Sequence, residues 1–211
     1  MTAPALAFAK GKATDCAITR LYAATSDLQR TIESETELSA DRVTWLDYRL
    51  YLFRMYGLHS PIERALGTTR GLTAVVEDAP LRNHKGALLA HDLIALGVDR
   101  RDLAELPRMP VPALHDLPDA LGWMYVLETW TLGGARLRAH LRKHLPLEIG
   151  SASAYLECYG DEAGARWREL GNAVERYAER SGGGTIDQIV AGASECLHRL
   201  QRWFRPSRYG R

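Results

Sequence analysis

Cysteine is scarce in this chain: Cys16, Cys158 and Cys196 stand far apart and form no C-x-x-C pair. An odd, scattered set excludes a disulfide framework and a zinc knuckle, and it suits a reducing cytoplasm. Net charge is nearly absent, at +1, so no global field draws the chain to nucleic acid or to a membrane surface. Local basic clusters, Arg136 to Lys143 and Arg199 to Arg211, read as solvated helix faces. Long apolar runs are missing too; none approaches the roughly 20 residues that span a bilayer. There is no strand-like alternation, internal repeat, nucleophile elbow, phosphate loop or dinucleotide fingerprint. The opening "MTAPALAFAKGK" lacks basic residues ahead of its apolar run, so residues 1–14 are expected to be a flexible tail and not a signal peptide.

What is present is helix after helix. Its 211 residues and 46% apolar content are enough for one sizeable core. A single domain over 15–206 is expected. Ile18, Leu21, Thr25, Leu28 and Ile32 recur at steps of three and four, which predicts an amphipathic helix over 15–35 with Tyr22 and Gln29 on or beside the stripe. A second helix is expected from Asp41 to Gly57, with Val43, Leu46, Leu50 and Phe53 inward and Gly57 as its C-cap. "SPIE" (Ser60 to Glu63) reads as a capping box that starts another, with Pro61 at the first helical position. Residues 80–97 form one helix closed by Gly97. The four prolines of Leu106 to Pro118 make a loop. A long buried helix is expected over 117–144, and another over 161–180. After the flexible "SGGG", Thr185 and Gln188 form a capping box for a last helix whose stripe is Ile186, Ile189, Ala193, Leu197, Leu200 and Phe204. The class is all-α, a central helix wrapped by others.

Few residues carry chemistry on their own. His140 and His144 have a metal-compatible spacing but lie among arginines and a lysine, which oppose a cation. His84 and His91 share a face without carboxylates at matching spacing. Glu128 is a lone carboxylate in an apolar helix and must find hydrogen bonds or a cation, or stay protonated. A buried anchor paired with an arginine from another helix is the expectation, with catalysis as the alternative. Gly133 and Gly134 sit side by side in the same helix at a cost of about 1 kcal/mol each against alanine. Close approach to a flat ligand or to a neighbouring helix would each account for them.

"ALGWMYVLETWTLGGARLRAHLRKHL" resembles the signature helix of bacterial biliverdin-producing heme oxygenases, of the form "ALG-x-LYVLEG-x-x-LGG". "LYAATSDLQRTIE" (Leu21 to Glu33) is similar to that family's first helix, "LR-x-AT-x-x-LH-x-x-LE". "YLFRMYGLHSPIERAL", "LLAHDLIALGVD", "YLECYGDEAGARWREL" and "AGASECLHRLQRWF" resemble further segments in the right order, over roughly 16–205. The resemblance implies a heme oxygenase-like helical bundle with heme between the first helix and the glycine-bearing one. In the family a histidine on the first helix ligates the iron, an electron donor reduces it, and the ring opens to biliverdin, iron and carbon monoxide. It also implies that Tyr22, Thr25, Gln29, Thr129, Trp130, Gly133 and Gly134 surround the cofactor position.

Several of these depart from the family pattern. Gln29 stands where the proximal histidine belongs, Tyr22 where a basic residue would meet the propionates, and Thr129 at the first glycine of "LEG". Trp130 replaces the small residue after it and is expected to crowd the oxygen side. Cys196 replaces a phenylalanine. The expectation is a heme oxygenase-like protein with a degenerate heme site, binding a tetrapyrrole-like or other planar ligand, or a protein partner. The alternatives are an active heme oxygenase in which water, Gln29 or His59 completes the iron, and a metal-dependent oxidase using His84, His91 or His140.

Overall fold

The computed structural model describes residues 16–34, 38 and 42–205; the expected tail over 1–14 and the domain ends at 15 and 206 lie outside them. Among the described residues there are helices and no strand. The first, α1 (Ala17–Ser34), buries Ile18, Leu21, Thr25, Gln29 and Ile32, the face its spacing predicts.

The second, α2 (Trp45–Thr68), corrects three expectations. It starts after Thr44, which forms a reciprocal capping box with Asp47, and not near Asp41. Its inward face is Tyr48, Leu52, Met55, Leu58 and Ile62, while Leu46 and Leu50 are 58% and 46% exposed. The segment is apolar nearly all round, so two stripes compete. The Tyr48 hydroxyl, bonded to the Ala152 carbonyl, marks the side that wins. Nor does the helix stop at Gly57. It runs through Pro61, whose missing N–H leaves the Gly57 carbonyl without its helical donor. The Met109 amide takes that oxygen at 2.9 Å. A Cβ at Gly57 would stand 2.6 Å from the Pro107 carbonyl oxygen, so the glycine serves close approach of this loop. Glu63 forms no capping box with Ser60 and instead accepts from the Gly86 amide, in the first turn of the later helix Lys85–Ala95, at 3.1 and 3.2 Å.

Next come α3 (Leu72–Val75), α4 (Ala79–Arg82), α5 (Lys85–Ala95) and α6 (Arg100–Glu105). The single helix expected over 80–97 is broken at Asn83 and His84. Lys85 Nζ caps the interruption by binding the Arg82 carbonyl at 2.9 Å. This turn aims Arg82 and Lys85 at the same carboxylate, Glu128.

The expected long helix is also two: α7 (Leu117–Thr131) and α8 (Gly134–His144). Leu132 and Gly133 keep right-handed backbone angles, but the ladder tightens to a Gly133 amide to Trp130 carbonyl bond of 3.3 Å. α7 is the centre of the molecule, buried at every residue from Ala120 through Glu128. α9 (Pro146–Ser151), a 3-10 turn (Gly160–Glu162), α10 (Ala163–Ser181) and α11 (Thr185–Phe204) complete the order. The capping box expected at Thr185 is not formed. Gly184, at φ 94°, occupies the cap with no side-chain bond. α11 lies along α7 and reaches α1, while α2 packs on α5. Where α7 and α11 cross, a Cβ at Gly122 would stand 2.4 Å from the Ile189 carbonyl oxygen, so the two backbones touch.

Candidate functional site

α1 and α7 meet through hydroxyl groups. Thr25 is buried, donates to the Leu21 carbonyl at 2.7 Å, and lies 3.4 Å from the Tyr125 hydroxyl. One turn along α7, Thr129 donates to the Tyr125 carbonyl at 2.6 Å. The Tyr125 ring packs on Trp167 of α10 at 5.3 Å. Burial raises the phenol above its ordinary range, while Thr25 and Thr129 oppose the shift by hydrogen bonding to it. Tyr125 thus gathers two of the expected site residues, with Tyr22 close enough to act on its charge. The sequence reading did not single it out, because it sits inside an unbroken apolar run.

Gln29 lies one turn beyond Thr25 on α1 and is 8% exposed. Its amide nitrogen donates to Glu33 Oε1 at 3.1 Å. Tyr22 is exposed. Trp130 is half-buried against Phe204 of α11, edge to face at 5.5 Å, and its Nε1 has no partner among the described residues. The two glycines part company. Gly133 is exposed, with nothing nearer its Cβ position than the Trp130 carbonyl oxygen at 3.6 Å, whereas a Cβ at Gly134 would stand 2.6 Å from the Leu156 carbonyl oxygen. Gly134 therefore serves backbone packing, and Gly133 faces open space. Cys196 is fully buried in α11, and burial pushes its thiol well up.

Glu128 is the anchor that its sequence position suggests. Arg82 Nη1 reaches Oε2 at 3.0 Å; Lys85 Nζ and the Tyr159 hydroxyl reach Oε1 at 2.7 and 3.0 Å. Arg82 also binds Asp78 at 2.8 Å and the Arg166 carbonyl at 2.9 Å. Each of the three donors to Glu128 comes from outside α7.

A second polar seam lies between α2 and α5. His59 is fully buried, with Nε2 at 3.0 Å from the Tyr155 hydroxyl and Nδ1 at 3.8 Å from Glu63 Oε1. Tyr155 and Tyr51 hydrogen-bond each other. Burial, then the Lys85 charge, holds the imidazole well below its ordinary range. Burial pushes the Glu63 carboxyl up to about 7 against the opposing Gly86 amide. Asp92 accepts from the Ala154 and Tyr155 amides, each at 2.9 Å.

Among the described residues no group of three or more His, Cys, Asp or Glu side chains could hold a metal. His84 faces Cys158 at 3.7 Å, His91 is exposed beside Asp92, and the His140 and His144 rings lie tilted against each other with centroids 5.0 Å apart. Burial raises the Cys158 thiol to about 11, so it is not an activated nucleophile. A pocket of about 680 Å³ at the start of α7 is lined by Asp116, Asp119 and Tyr177 among others. It contains none of the expected site residues, and its acidic wall opposes an anionic ligand. Among the described residues no helix is long and apolar enough to cross a membrane.

No protein-family model and no curated protein matches the sequence. Among solved structures the chain is similar to the NO- and CO-bound heme oxygenase from Neisseria meningitidis, with a TM-score of 0.73 and 18% sequence identity over 92% of this chain and 95% of that one. The fold is therefore the all-α heme oxygenase-like bundle.

Proposed function

We propose that this chain, as one domain over 15–206, is a heme oxygenase-like binding protein with a degenerate heme site. It acts by binding, either a tetrapyrrole-like molecule held between α1 and α7, the reading taken here, or a protein partner. The carrying observation is the state of Gln29: the residue that the family resemblance sets at the iron-ligand position is an amide, and its nitrogen is committed to Glu33 at 3.1 Å. α1 contains no histidine, and a neutral amide is a poor iron ligand beside imidazole. The residues present do not fit heme. His59 is a weak substitute, since it is sealed in the core with one nitrogen on Tyr155. The free Cys16, Cys158 and Cys196 suit a cytoplasmic setting.

Hemin added to the purified protein, followed by a reductant and oxygen, tests this. The expected outcome is no stoichiometric Soret band and no biliverdin, while added biliverdin quenches tryptophan fluorescence. Stoichiometric hemin opened to biliverdin would establish the active enzyme instead. Gln29→His is expected to create or strengthen the Soret band.

A further inference from the structure

The Gln29 amide can face Glu33 in only one way. A carboxylate accepts and does not donate, so the 3.1 Å contact fixes the amide nitrogen on Glu33 and turns Oε1 elsewhere. Among the described residues nothing donates to Oε1, and that oxygen is not sealed inside the protein. It lies on the buried face of α1, one turn from the Thr25 hydroxyl that meets Tyr125 of α7. Gln29 therefore offers the junction between these helices one oriented hydrogen-bond acceptor.

Such an acceptor discriminates between two kinds of tetrapyrrole. A metal-free ring or linear bilin carries N–H donors on its inner nitrogens. A metallated ring of the same outline has none, because the metal has replaced those protons. The geometry points to a site that selects metal-free tetrapyrroles over metallated ones, with Gln29 Oε1 accepting an inner N–H and Glu33 as the positioning residue. This rests on the binding role proposed above and names its ligand class. A ligand that covers this oxygen without donating to it strips its water and leaves it unpaired, which is a strong source of rejection. A histidine in the same place would invert the preference, since its free nitrogen lone pair seeks a metal.

The test compares free-base protoporphyrin and biliverdin with zinc protoporphyrin and hemin, each titrated into the full chain by tryptophan fluorescence. The free-base porphyrin is expected to bind at least about tenfold more tightly than its zinc form, the scale of one hydrogen bond. Gln29→Leu should erase that difference by weakening the free-base ligand and relieving the penalty on zinc protoporphyrin. Gln29→Met gives the same reading if the leucine variant misfolds by circular dichroism. Equal affinities, or tighter zinc binding, in the parent protein would overturn the selectivity while leaving tetrapyrrole binding intact. A preference that survives in both variants would take the role away from Gln29. If none of the four compounds binds, the proposed function fails and this inference fails with it.

Discussion

Glu128 shows how much one residue can hold together. Its carboxylate receives Arg82, Lys85 and Tyr159 at 3.0 Å or less. Removing the charge takes the carboxylate from buried Lys85 and one carboxylate from Arg82, which keeps Asp78; breaking comparable buried pairs costs roughly 3–5 kcal/mol. Glu128→Gln is therefore expected to lower the unfolding free energy from urea titration by that much, and a loss within about 1 kcal/mol would show that Asp78, and Glu169 at 3.6 Å from Arg82, take up the charge. The carboxylate was legible in the sequence because it is alone in an apolar run. Its partners were not, because they converge only after the helix breaks at Asn83 and His84. Glu63 and His59 form the other informative pair. The folded carboxyl rises from 4.5 to about 7, so its contribution to stability is full at low pH and fades as the pH rises through that range. His59 acts in the opposite sense. Its folded value lies well below 6.5, so its contribution is present above 6.5 and fades as the pH falls below it. Between those limits the two slopes oppose each other. Glu63→Gln removes the opposing carboxyl, and urea unfolding of that variant should show stability falling more steeply than the parent's as the pH drops below 6.5. A pH profile as flat as the parent's would refute the pairing.

At the scale of elements, the two adjacent glycines do different work. Gly134→Ala drives a Cβ to 2.6 Å from the Leu156 carbonyl oxygen, and overpacking of this kind costs typically 1–3 kcal/mol. Gly133→Ala meets nothing closer than 3.6 Å at φ −81°, and should be neutral or stabilising by about 0.4–1 kcal/mol. Thermal unfolding of the two variants checks the contrast; equal losses would place a neighbour over Gly133. The sequence reading put both residues inside one helix because propensity cannot say which glycine has backbone beside it. α1 and α11 were read correctly from their spacing, since each has one polar and one apolar side. α2 was misread because nearly every side of its first half is apolar, and only contacts such as Tyr48 with Ala152 choose among them.

For the whole molecule, the fold was more legible than the site. A central helix buried at every residue from Ala120 to Glu128 demands partners on all sides, and the amphipathic helices around it supply them. The site depends on Thr25 of α1 meeting Tyr125 of α7, which no single periodicity encodes. Ligand binding should be visible at this scale. A ligand that binds only the folded chain adds about 2.7 kcal/mol at a hundred times its dissociation constant. Biliverdin is accordingly expected to raise the melting temperature in step with its concentration. A melting temperature indifferent to biliverdin at any concentration would count against the binding role.

Pro61 carries one more consequence. A ring that cannot donate leaves a vacancy in the helical ladder at Gly57, and the Met109 amide has moved into it. The proline-rich connection before α7 is thus moored to the middle of α2 by a gap in the helix, not by a side chain. Any residue with an amide at position 61 would compete with Met109 for that berth, so an ostensibly conservative replacement there would loosen the entrance to the central helix from a distance.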